Sequence, residues 1–124
     1  MLGSLNVILG TSHLLSGLLI IGLCLPLALG KVAPNALYGF RFGSLTAPPE
    51  RWYAINRFGA QRMIFWSGLL AASGLTAILY AALAGPGARL LCWCLPWLPL
   101  VLLLPAAQAY LYARRLAGES IQES

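Results

Sequence analysis

Two clusters of polar and aromatic residues hold most of what this chain offers for chemistry. The first is Pro34, Asn35, Ala36, Leu37, Tyr38, Gly39, Phe40 and Arg41. The second is Trp52, Tyr53, Ala54, Ile55, Asn56, Arg57, Phe58 and Gly59. The guanidinium groups of Arg41 and Arg57 suit carboxylates or phosphates, which they grip in a bidentate fork. The amides of Asn35 and Asn56 both donate and accept, so each can satisfy loop backbone groups that lack a helix or sheet partner. This chemistry is recognition rather than turnover. The chain has no paired carboxylates, no nucleophile beside a base and no glycine-rich phosphate cradle. Glu50 is the sole acid before the C-terminal tail. We expect no catalytic residue, no cofactor and no metal, and therefore not an enzyme.

The elements that position these residues follow from composition. The chain of 124 residues is 60% hydrophobic and 9% charged, where a soluble domain has about 25% charged residues. Too little polar surface exists to wrap a soluble globule, so the solvent is lipid. Three apolar runs, about 5–29, 63–83 and 90–112, reach the roughly 20 residues a spanning helix needs, and none contains Asp, Glu, Lys or Arg. Backbone groups in lipid must pair within their own segment, which makes these runs helices. The alternation of a β-barrel is absent. The predicted fold is an all-α membrane protein: one domain, 1–124, of three transmembrane helices. A motif loop and helix, 30–62, lies at the interface between the first and second spans. The first span is read as retained rather than cleaved, because no basic residue precedes Lys31.

Charge sets the expected orientation. Lys31, Arg41, Arg51, Arg57 and Arg62 fall between spans one and two, and Arg114 and Arg115 follow span three, while the second connection holds only Arg89. The positive-inside rule puts the long loop and the C-terminus in the cytoplasm and the N-terminus outside. The net charge of +5 is largely this topology signal. The arginines mark membrane edges rather than a soluble basic face, so no nucleic-acid partner is expected.

Pro48 and Pro49 start a helix, since proline fits a first turn, and Glu50 there complements the helix dipole. That helix is predicted to run through Arg62 into span two. At about 100° per residue, Trp52, Asn56, Gly59 and Met63 share a face, which can hold the segment 38–41 against it. Ser67, Gly68, Ala71, Ala72 and Gly74 on span two, and Ser12 and Ser16 on span one, have the small-residue spacing that permits close contact in lipid, so these spans should touch. Pro96 and Pro105 should bend span three. Trp93 and Trp97 at one end of it, and Tyr110 and Tyr112 at the other, read as aromatic belts. Gly85, Pro86 and Gly87 make a tight turn, and 117–124 reads as a frayed tail. His13 lies inside span one with no acid to pair with. It reads as a neutral imidazole hydrogen-bonded to Ser16 or to a neighbouring helix. Cys24, Cys92 and Cys94 lack companion ligands and read as small apolar residues.

The loop motif resembles the SdpI family of small bacterial membrane proteins. The resemblance rests on Pro34 and Asn35, on Tyr38, Gly39, Phe40 and Arg41, on Trp52 and Tyr53 after Arg41, and on Asn56, Arg57 and Gly59. It covers about 32–74. The family usually has Thr-Pro after the loop arginine, where this chain has Phe42 and Gly43. This chain looks like an isolated three-helix unit of that family. The resemblance implies a bacterial inner membrane protein giving immunity to, or sensing, a membrane-active peptide toxin, with a role in signal transduction. Its working surface would be Pro34, Asn35, Tyr38, Gly39, Arg41, Trp52, Asn56, Arg57 and Gly59. The alternative is a small accessory subunit of a larger membrane complex. Three helices bury little, so partners beyond the lipid bilayer are expected: other membrane subunits or further copies of the chain.

Overall fold

The computed structural model describes residues 2–84 and 94–124. Among the described residues, three helices are long and apolar enough to cross a membrane, and no strand occurs. Helix α1 is Leu2–Ala28, α2 is Pro49–Ala84, a 3-10 helix covers Leu95–Leu102, and α3 is Leu103–Gln122. The protein is an all-α membrane protein.

Helices α1 and α2 pack through glycine. A Cβ on Gly10 would lie 2.7 Å from the Gly74 carbonyl oxygen, and one on Gly17 would lie 2.6 Å from that of Ser67. A Cβ on Gly74 would in turn strike the Gly10 carbonyl oxygen. Two backbones in direct contact gain dispersion energy that lipid tails cannot match along such a flat seam. The buried stripe of α1 is Asn6, Gly10, His13, Gly17, Cys24 and Leu27, a spacing of three and four that keeps one face on the partner. The contact between the two spans is therefore as expected, but not its residues on α1. Ser12 and Ser16 are exposed, one position off the seam. His13 is buried beside Gly74 and its Nδ1 has no hydrogen-bond partner, where a bond to Ser16 or to a neighbouring helix was expected.

Helix α1 ends on a glycine cap. Gly30 has φ +71°; its N–H donates to the Leu27 carbonyl (3.1 Å), and the Lys31 N–H donates to that of Pro26 (2.9 Å). This is a Schellman motif with glycine at the left-handed position. The chain then runs without regular structure, apart from a 3-10 turn at Gly43–Leu45, until α2 starts at Pro49. The Trp52 N–H donates back to the Pro48 carbonyl (3.0 Å), and Glu50 lies in the first turn, as the sequence predicts. The 36 residues of α2 make a rod about 54 Å long at 1.5 Å per residue. The hydrocarbon core is only about 30 Å thick, so the first turns of α2 stand outside it, beside the loop.

The third span departs most from expectation. Residues 85–93, with the expected turn at Gly85, Pro86 and Gly87, the start of the span at Leu90, and Cys92 and Trp93, lie outside the described residues. From Leu95 the chain winds as a 3-10 helix containing Pro96 and Pro99. In an α-helix a proline ring collides with the carbonyl four residues back; tightening to three residues per turn relieves this and puts the two prolines on one face. Pro105 falls in the first turn of α3, where its missing N–H costs least. The polar tail is not frayed: α3 continues to Gln122. Ala, Arg, Leu and Gln favour helix there, and the Arg51 guanidinium donates to Ser120 Oγ. The start of α2 and the end of α3 therefore share one side of the molecule. Against α2, α3 sets Ala109, whose methyl lies 3.0 Å from where a Cβ on Gly59 would be.

Gly17→Val should lower stability by about 1–3 kcal/mol through overpacking. Gly68→Val, where a Cβ meets nothing within 4 Å, should be close to neutral. Thermal unfolding in detergent micelles, followed by tryptophan fluorescence, checks this; equal losses at the two positions would refute the glycine seam.

Candidate functional site

The loop is built by its two asparagines. Asn35 Oδ1 accepts from the N–H groups of Leu37 (2.9 Å) and Tyr38 (2.7 Å), and its Nδ2 donates to the Ala33 carbonyl (2.9 Å). One side chain thus closes a turn in a segment with no secondary structure of its own. Asn56, from the second turn of α2, does the same across sixteen positions of sequence. Its Oδ1 accepts from the Phe40 N–H (2.6 Å), and its Nδ2 donates to the Phe40 carbonyl (3.1 Å) and the Trp52 carbonyl (3.0 Å). The amide pairs with Phe40 as a neighbouring strand would. Both asparagines are the pins the sequence predicts.

Three further residues lock this contact. The Trp52 indole N–H donates to the Val32 carbonyl (3.0 Å), and the side chain is 3% exposed. Gly39 has φ +115°, and a Cβ there would sit 2.7 Å from Asn56 Oδ1 and 3.1 Å from the Trp52 ring. Both the dihedral and the space require glycine. Gly59 admits the Phe40 ring, which would lie 2.7 Å from a Cβ at that position. The face formed by Trp52, Asn56 and Gly59 therefore holds 38–41 against α2, as the helical spacing predicts.

Four of the nine residues singled out from sequence then line one open cleft of about 430 Å³. Pro34, Asn35, Arg41 and Trp52 form its walls together with Gly43, Thr46 and Ala47. Arg41 is exposed and is the one cation in that lining. Gly39, Asn56 and Gly59 lie behind the cleft and position it. Tyr38 and Arg57 go elsewhere. Tyr38 packs against the buried cluster of Cys24, Leu27 and Ala60. Burial, and then the neighbouring Cys24, push its phenol above the ordinary tyrosine value, so it stays protonated at neutral pH. Arg57 reaches back to α1: its Nη2 lies 2.8 Å from where a Cβ on Gly30 would be. Helix α1 has no basic residue in its last turn, and Arg57 supplies a cation to that negative dipole end from outside.

Thr46 was not foreseen. It is 5% exposed; its Oγ1 accepts from the Phe42 N–H (3.1 Å) and donates to the Gly43 carbonyl (3.3 Å). A threonine three residues after a glycine is a local turn signal, and this one was legible in principle. Phe42 was also missed. It meets Tyr110 of α3 edge to face at 5.5 Å, so Tyr110, expected from sequence only as part of an aromatic belt, braces the loop. No spacing in the sequence links those two residues. Among the described residues, no group of three or more His, Cys, Asp or Glu gathers to hold a metal. Cys24 is buried and Cys94 exposed.

Scans against protein-family models, curated proteins and solved structures gave no match.

Asn56→Asp keeps the shape of the pin but loses the two donated hydrogen bonds and sets a carboxylate against two carbonyls. The loop should loosen by about 1–3 kcal/mol. Hydrogen exchange at the Phe40 amide should speed accordingly, while amides in the middle of α2 keep wild-type protection; unchanged exchange at Phe40 would contradict the assigned pairing.

Proposed function

We propose that this protein is an SdpI-like integral membrane protein that confers immunity to, or senses, a membrane-active peptide at the bacterial inner membrane. In this reading the N-terminus is outside, and the loop and C-terminus are cytoplasmic. The observation that carries it is the convergence of Pro34, Asn35, Arg41 and Trp52 on one open cleft, on a loop held rigidly by Asn56. A loop serving only to connect two spans has no need of a left-handed glycine, a buried tryptophan and a bidentate amide. A preorganised concave surface with one free guanidinium fits recognition of an extended segment presenting a carboxylate or carbonyl groups. Asn35, Asn56, Gly39, Gly59 and Trp52 preorganise the cleft, and Arg41 reads the ligand. Tyr38 and Arg57 fix the loop to the end of α1.

A second reading, an accessory subunit of a larger membrane complex, is favoured by a different surface. Gly68, Ala72 and Thr76 recur every fourth residue on α2. A Cβ on Gly68 meets nothing, and Ala72 and Thr76 are exposed. Ser12 and Ser16 on α1 are open in the same way. Such faces accept a further helix, from another subunit or another copy.

Arg41→Gln should abolish protection of cells challenged with membrane-active peptides, while membrane insertion and thermal stability stay at wild-type levels. If the wild-type protein protects against no peptide and leaves the membrane only within a stoichiometric complex on a native gel, the accessory reading replaces the first.

A further inference from the structure

Between α2 and the segment formed by the 3-10 helix and α3, a seam opens into two adjoining clefts of opposite character. The first, about 380 Å³, is lined by Phe58 and Arg62 of α2 and by Gln108, Leu111, Tyr112 and Arg115 of α3. Two guanidinium groups share it, and none of the chain's three acids, Glu50, Glu119 and Glu123, is in its wall. The site is braced. The Phe58 and Tyr112 rings stack at 4.3 Å with 18° between their planes, and the Arg62 guanidinium lies over the Phe58 ring at 5.2 Å. A cation held on an aromatic face keeps its N–H groups free to donate. Gln108 Oε1 accepts from the Trp66 indole N–H (3.4 Å), which leaves the amide N–H groups of Gln108 available to an anionic oxygen.

One turn further along α2 the seam becomes apolar. A cleft of about 210 Å³ is lined by Trp66, Leu69, Leu70, Ser73, Leu98 and Val101. Trp66 belongs to this wall and bonds Gln108 of the first, so the two clefts adjoin. From Arg62 to Ser73 the rise along α2 is about 16 Å, close to half of a hydrocarbon core about 30 Å thick. Arg62 immediately precedes the apolar run of span two, which puts the guanidinium pair at headgroup level and the apolar cleft at acyl depth within one leaflet.

We infer that this seam binds one anionic phospholipid, its phosphate between Arg62 and Arg115 and one acyl chain along Leu69, Leu70, Leu98 and Val101. Charge selects the headgroup and the apolar cleft selects a chain, so free phosphate meets only half of the site. The occupant comes from the leaflet on the side of the motif loop. Basic pockets between spanning helices are suited to such headgroups. The seam lies apart from the loop cleft and shares no lining residue with it.

The test uses the full chain reconstituted into phosphatidylcholine vesicles, with Trp66 as reporter and its signal isolated by difference from Trp66→Phe. Phosphatidylglycerol with brominated chains should quench Trp66 at about twenty-five-fold lower mole fraction than brominated phosphatidylcholine, from two cations each worth roughly fivefold. Arg62→Gln or Arg115→Gln should each reduce that preference about fivefold, and millimolar inorganic phosphate should leave it unchanged. Equal quenching by the two lipids overturns the inference, and this comparison needs no variant at either arginine. Loss of the preference in inorganic phosphate also overturns it, by showing an anion site without a lipid. So does insensitivity of Trp66 to both lipids, which would mean that another copy of the chain covers the seam.

Discussion

The side chain of Asn56 is the point on which the loop depends. A segment of some twenty residues between two spanning helices carries backbone N–H and C=O groups that neither helix nor sheet satisfies. One carboxamide accepts from the Phe40 N–H, donates to the Phe40 carbonyl and donates to its own helix at Trp52. It thereby stands in for a strand partner. The rest follows geometrically. The loop must come within hydrogen-bond reach of α2, so residue 39 cannot have a Cβ, and residue 59 must leave room for the Phe40 ring. The Trp52 indole then closes the start of the loop on Val32. What remains outside this locked region is the wall holding Arg41.

A second constraint organises the spans. Lipid gives no hydrophobic drive for one apolar helix to leave it for another. The helices must earn their contact by shape, and α1 and α2 do so with Gly10, Gly17 and Gly74. This is also why so many leucines are exposed along the outer faces; they face the solvent for which the chain is composed. Helix α3 adds a smaller contact centred on Gly59 and Ala109, supported by the Phe58–Tyr112 stack and the Phe42–Tyr110 edge contact. The seam it leaves open is a consequence of that sparser packing.

Much of this was legible in the sequence, for identifiable reasons. Three charge-free runs can only be helices in lipid. Pro49 and Glu50 fix the start of α2, and the period of 3.6 puts Trp52, Asn56 and Gly59 on one face. The two asparagines were readable as pins because an isolated amide beside an irregular segment has few other uses. Other features were not readable. Whether Ser12 and Ser16 or Gly10 and Gly17 face the neighbour depends on the rotation of α1, and a helix that is apolar all round carries little periodicity to fix it. Asn6, fully buried on the same stripe, was the polar residue that marked the face. Pro96 was expected to bend a helix; with Pro99 it instead changes the winding, which depends on two prolines three apart. The helical end of α3 is joined to α2 where Arg51 meets Ser120 across 69 positions of sequence, a contact no local pattern announces. Membership of the cleft had the same difficulty: Arg41 and Arg57 look alike in sequence, yet one faces the cleft and the other the end of α1.

The length of α2 has a mechanical meaning. It contains no proline after its first residue and runs unbroken from the loop to the far side of the apolar slab. Its two ends cannot turn independently. A spanning helix adjusts its tilt to the thickness of the bilayer around it. Here the same rod carries Trp52, Asn56 and Gly59 at one end, so any change of tilt is also a displacement of the floor on which the loop rests. The chain thus joins the floor of the loop and a spanning segment in one unbroken rod.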